Sequence, residues 1–189
     1  DIELAISEYD LDVIVFPHNL WLENWNAHNI FPQLSNFMES GGLVILIGGN
    51  SYDWMAEHTD WFEGTIDHHG VDAGGNGIAS EDCNCSNSGT FEGISLSEHP
   101  IMENVYSYAD CATLFNNPQV YYISDSDYFS LFRWCGNYVG GYTYGFNDSP
   151  DMVVGKNIGE GHLILFGDNT ILSNRGSTSL FGNIIHYFI

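Results

Sequence analysis

At 189 residues, with 44% hydrophobic and 15% aromatic content, the chain carries enough apolar material for the core of one domain and is not a disordered tail. Its 25 acidic residues face three cations, Arg133, Lys156 and Arg175, for a formal net charge of −22. Phosphate backbones and anionic lipid surfaces are bound through Lys and Arg, so this balance argues against nucleic-acid and membrane-surface binding.

In chain order, Ile2 to Tyr9 reads as a short helix or turn, and Val13 to Phe16 as a strand closed by Pro17. After a loop over Trp21 to Asn29, Leu34, Phe37 and Met38 recur at helical spacing from about Pro32 to Ser40. Gly41 and Gly42 end that helix, and Leu43 to Ile47 is an unbroken apolar run bounded by Gly48 and Gly49. A strand that is apolar throughout is covered on both faces. The expected fold is therefore α/β: a three-layer sandwich around a mostly parallel central sheet, with long rim loops.

From Ser51 to about Glu98 the period dissolves into Gly, Asn, Ser and Asp, as in an insertion on the rim of the sheet. Glu98 to Val105 reads as a turn with a short helix. Gln119 to Ile123 and Leu131 to Trp134 read as short strands, and Tyr138 to Phe146 alternates Tyr and Gly like another. Val153 to Lys156 and Leu163 to Phe166 form a pair of strands joined through a Gly-rich turn, and Ser179 to Ile189 has the spacing of an amphipathic terminal helix. No internal repeat or linker interrupts residues 1–189, so one domain is expected. No run approaches the roughly 18 apolar residues of a membrane span.

Charged residues make up only 15% of the chain, so its acidity comes more from missing Lys and Arg than from surplus carboxylates. A neutral-polar, tyrosine-rich surface suits an extracellular or cell-surface protein, with adaptation to high salt as the competing reading. The sequence starts at Asp1 without Met or a signal segment, as a processed product or excised domain would. Cys83 and Cys85 are too close to bridge each other without strain, so each is expected to pair with Cys111 or Cys135. Buried free thiols and a metal site are the alternatives, although paired CxxC spacing is missing.

Ligands of open α/β sheets sit beyond the carboxyl ends of the strands. His18, Asn50, Ser51, Asp168 and Asn169 all follow such ends and are the candidate ligand-binding residues, against the plainer reading that Asn and Asp simply favour turns. The segment TIDHHG offers Asp67, His68 and His69 as metal ligands and is similar to the DHH signature of metal-dependent phosphoesterases, against the reading of an ordinary polar loop. Asp125 and Asp127 are candidate Ca²⁺ ligands, with a solvated turn as the alternative. His99 is expected to cap or pack in a turn. Tyr138, Tyr142, Tyr144 and Phe146, with Trp134 nearby, form either a stacking face for sugar or protein or a covered sheet face.

The block VVGKNIGEGHLILFGDNTILSN and the closing LFGNIIHYFI resemble the class I glutamine amidotransferase-like branch of flavodoxin-like folds, whose last strand, turn and Asn-bearing helix correspond to Gly159 to Asp168, Leu172 to Asn174, and Asn183. YDLDVIVFP, FMESGGLVILIGG and EHPIMENV are similar to further segments of that family. The resemblance implies a strand and helix ahead of the first strand here, which are missing or lie upstream of Asp1. It also implies a nucleophilic Cys on the turn after the strand at Leu43 to Ile47, where this sequence reads GGNS. Thiolate attack needs a Cys beside a base. The expectation is thus a non-catalytic binding or structural module at the cell surface, with a protein or carbohydrate partner or self-association that Ca²⁺ supports. A hydrolase built on Asp67, His68 and His69, and a self-assembling surface-layer or filament subunit, are the rivals.

Overall fold

Two periods of apolar residues generate the architecture, one of two along the strands and one of three to four along the helices. The computed structural model describes residues 2–16, 30–48, 55, 59–63, 66–70, 90–95, 98–105, 119–133, 151–167 and 175–189. Helix α1 (Ile2–Tyr9) leads into β1 (Val13–Phe16), α2 (Ile30–Glu39) and β2 (Leu43–Ile47). Strand β3 (Ile66–Gly70) is followed by the small β4 (Thr90–Phe91) and β5 (Ile94–Ser95), and by a 3-10 turn over Pro100–Met102. Strands β6 (Gln119–Ile123), β7 (Phe129–Arg133), β8 (Asp151–Ile158) and β9 (Gly161–Phe166) precede the terminal helix α3 (Arg175–Phe188). No helix among the described residues is long and apolar enough to cross a membrane.

The main sheet has seven strands in the order β1-β2-β9-β8-β6-β3, with β7 also paired to β8. Its core is parallel: β1 runs with β2 and β2 with β9, in the registers Phe16↔Leu46 and Ile47↔Phe166. The hairpin expected between β8 and β9 is present, and from β8 outward the strands join antiparallel. The result is an open α/β sheet covered by helices, of the flavodoxin-like kind.

Alternation along the central strands sends side chains into two separate cores. Leu43, Ile45, Ile47, Ile164 and Phe166 meet Leu180 and Ile184 of α3. Val44, Leu46, Leu163 and Leu165 meet Phe31, Leu34, Phe37 and Met38 of α2. Burying a side chain such as Leu34 or Ile184 fully contributes about 1.5–3 kcal/mol, and both are completely inaccessible to solvent.

Helix α2 stops as its sequence suggested. Gly41, at φ +103°, is the left-handed cap, with its N–H bonded to the Met38 carbonyl while the Gly42 N–H reaches Phe37. The β8–β9 turn seats directly on this cap, where a Cβ on Gly161 would lie 2.3 Å from the carbonyl oxygens of both Gly42 and Met38. The Gly-x-Gly of the C-terminal block is therefore a packing device between a turn and a helix end.

One sequence expectation needs correction. The stretch from Ser51 to about Glu98, whose period dissolves as in a rim insertion, contains residues 66–70 as strand β3 at the far edge of the sheet. Backbone pairing with β6 supplies the order that side-chain periodicity did not announce. Glu92 and Gly93, at φ +52° and +79°, close the β4–β5 hairpin with the positive dihedrals a two-residue turn requires.

Candidate functional site

The sheet has a switch point between β2 and β9. Beyond β2 the chain supplies Met55, Trp61 and Phe62 to the core on the α2 side. Trp61 donates its indole N–H to Ser35 of α2 at 2.8 Å and packs edge-on to Phe31, with ring centres 5.5 Å apart. Beyond β9 it supplies α3 to the opposite face. Neighbouring parallel strands whose continuations part to opposite faces leave a crevice at their carboxyl ends, the usual ligand position in open α/β sheets. At this point the two strand ends are tied through backbone: the Gly48 N–H donates to the Phe166 carbonyl at 2.8 Å, and Gly48 (φ +87°) and Gly167 are buried.

His18, Asn50, Ser51, Asp168 and Asn169 lie outside the described residues, but the strands preceding them are the adjacent trio β1, β2 and β9. Cys83, Cys85, Cys111 and Cys135 and the aromatic stretch Tyr138 to Phe146 also lie outside the described residues. Asp67, His68 and His69 are strand residues rather than loop residues, in register with Tyr122, Tyr121 and Val120 of β6.

Asp125 has taken a different partner from the one expected. It is buried between β6 and β7, with Oδ2 accepting from the Lys156 ammonium at 2.5 Å and from the Glu63 N–H at 2.7 Å. Its Oδ1 accepts from the Asp127 N–H at 2.7 Å, closing an Asx-turn in which Asp127 itself is exposed. Burial alone pushes this carboxyl's pKa up, but the Lys156 hydrogen bond, the two backbone N–H donors and the ammonium's charge outweigh it and hold the value below the ordinary carboxylate range. The Lys156 ammonium also lies 5.5 Å from the centre of the Phe62 ring. The solvated turn read from SDSD is thus half wrong: one carboxylate is a buried anchor. The signal that sequence reading passed over is Lys156 itself, the chain's one lysine, set in an apolar strand where an ammonium needs a counter-charge.

On the other face, the two family-like signals around His99 and Asn183 meet. His99 Nδ1 accepts from the Ile101 N–H at 3.2 Å and caps the 3-10 turn, as expected. Asn183 of α3 donates to the carbonyls of Ile101 and Glu103 at 2.9 and 2.8 Å, binding that turn to the helix. Around them pack Phe91, Phe129, His162, Tyr187 and Phe188, with Tyr187 donating its hydroxyl to Glu92. Burial lowers the His162 pKa below its ordinary 6.5, opposed by the charge of Glu92, and the Tyr187 pKa is raised by its bond to Glu92 together with burial.

No protein-family model matches the chain, and no curated protein matches it. Among solved structures, a protein from Bacteroides uniformis described as ThuA-like is similar over 94% of this chain and 69% of its own, at 13% identity and a TM-score of 0.44.

Proposed function

We propose that the chain is a glutamine amidotransferase-like domain that lacks the catalytic Cys and serves as a non-catalytic binding or structural module of an extracellular or cell-surface protein. The supporting observation is the switch point between β2 and β9. Open α/β sheets usually take their ligands at such a point, and the sequence that follows β2 is Gly49, Asn50 and Ser51, which provides hydrogen-bonding groups and no thiol nucleophile. Asn50, Ser51, Asp168 and Asn169 suit a neutral, hydroxyl-rich partner such as a carbohydrate, and the shortage of cations turns away anionic ones.

The test is an amide NMR titration of the protein with a panel of neutral oligosaccharides, together with elemental analysis of the purified material. Shifts centred on Gly48 and Gly167, with Ca²⁺ alone or no metal bound, are the expected result. A stoichiometric transition metal that is lost in His68→Ala, accompanied by phosphodiester cleavage, would overturn the proposal in favour of the hydrolase.

A further inference from the structure

Strand β1 ends the sheet on the side of its parallel core, and among the described residues it is hydrogen-bonded to β2 alone. The Leu43 N–H donates to the Asp12 carbonyl at 2.9 Å. Successive residues of a strand turn their backbone groups to opposite sides, so Asp12, Ile14 and Phe16 face β2, while the N–H and C=O of Val13 and Val15 face outward. The strand is nevertheless apolar on both faces. Ile14 and Phe16 are buried in the core on the α2 side, and Val13 and Val15 pack partly buried against the core on the α3 side. That is the character of an interior strand of a parallel sheet. Exposed edges are usually blunted by a charge, a proline or a bulge, and Val13–Phe16 contains none of these.

Helix α1, which leads into this strand, packs Ile6 on the α2 side of the sheet and leaves Leu4 and Tyr9 52% and 69% exposed. The sequence from Asp1 to Pro17 holds five carboxylates, Asp1, Glu3, Glu8, Asp10 and Asp12, and no Lys, Arg or His. Of these, Glu8, Asp10 and Asp12 are exposed where the helix meets the strand.

We propose that the outer edge of β1 is a docking site for an extended, basic segment of a partner protein, which adds a strand to the sheet and sets its Lys or Arg side chains against the acidic α1–β1 junction. Val13 and Val15 supply two donors and two acceptors, and the exposed Leu4 and Tyr9 supply apolar surface on the preceding helix. A second copy of this chain is the poorer occupant. Pairing two β1 strands about a two-fold axis would bring two such junctions together, on chains that each carry −22. This edge faces away from β2, and so from the crevice between β2 and β9.

Amide exchange with and without a synthetic peptide of alternating Val and Thr, flanked by lysines, tests the site. At a peptide concentration about ten times its Kd, exchange at Val13 and Val15 is expected to slow by about tenfold, while Ile14 and Phe16, already bonded to β2, stay as they were. The same peptide flanked by glutamates is expected to change none of the four. The double variant Asp10→Asn, Asp12→Asn is expected to weaken the basic peptide by about fivefold, the loss of two exposed ion pairs. Val15→Pro removes one outward donor without touching the ladder to β2 and is expected to abolish binding. Val13 and Val15 amides that the basic peptide leaves unprotected, equal binding of the glutamate-flanked peptide, or amides already protected in the free protein, as monomer or dimer, would each overturn the proposal. Should Val15→Pro fail to fold, the wild-type protein and a peptide N-methylated at alternate amides decide: binding as tight as that of the unmethylated peptide sinks the added strand.

Discussion

The two helix-covered faces of the sheet bury polar groups by opposite means. On the α2 face the polar insert is a full charge pair, Asp125 and Lys156, with three donors on the carboxylate and an aromatic ring near the ammonium. On the α3 face it is neutral: a capping histidine with one idle N–H, an asparagine bridging two carbonyls, and a histidine against a phenylalanine. A charge pair fails steeply when either partner goes, because the survivor is stranded in a medium that cannot solvate it. Neutral contacts fail gradually and one at a time. Loss of a partner is accordingly expected to cost more on the α2 face than on the α3 face.

The sharpest way to break that contrast is Lys156→Met, which keeps the volume and leaves Asp125 buried without its cation. It is expected to cost about 3–5 kcal/mol in urea unfolding, and a loss well under 1 kcal/mol would place the pair effectively in solvent. The same variant has a signature in pH. Asp125 has a lowered folded pKa, so its contribution is present above the unfolded carboxylate value of about 3.9 and disappears as pH falls through the folded one. Removing Lys156 should shrink that acid-range loss.

Next in size is Gly161→Ala. The added methyl would meet the Gly42 and Met38 carbonyls, which belong to backbone and cannot swing aside. Overpacking of this kind costs about 1–3 kcal/mol, and unchanged thermal unfolding would mean that the β8–β9 turn floats off α2. Asn183→Ala, which strands two carbonyls of the 3-10 turn, falls in a similar range of about 1–3 kcal/mol. Its signature differs, because faster exchange should appear at Val105 and Met102, whose N–H groups bond within that turn, while α2 stays protected.

Much of this architecture was legible in the residues. The limits of β1 and β2 follow from Val13–Phe16 and Leu43–Ile47, where apolar runs meet Pro or Gly, and α2 ends where the Gly pair permits a left-handed cap. What escaped was non-local. Strand β3 has no period of its own, and its order comes from β6, some fifty residues later in the chain. Asp125 and Lys156 lie 31 positions apart, so each alone reads as an ordinary polar residue. Asn183 was visible as an asparagine in the last helix, but its role exists only once α3 lies against the turn capped by His99. The candidate crevice was legible at the level of strand ends, since β1, β2 and β9 are adjacent, and it took the pairing order to locate the switch between β2 and β9.

The smallest expected effect sharpens the comparison from the stabilising side. Gly182 lies on the exposed side of α3, and a Cβ built there meets nothing within 4 Å. Gly182→Ala should therefore stabilise by about 0.5–1 kcal/mol, the helical penalty of glycine relative to alanine. An α3 that undocks locally at its C-terminal turn while remaining helical would gain this in global unfolding alone, with the exchange of Ile185 to Phe188 unaltered. If the last turn leaves by uncoiling, the substitution raises the cost of that step too, and exchange there slows in proportion. Measuring both quantities on one variant thus distinguishes a helix end that swings from one that melts, and the second outcome is expected, since Ile185, Tyr187 and Phe188 pack a turn with no further helix beyond it.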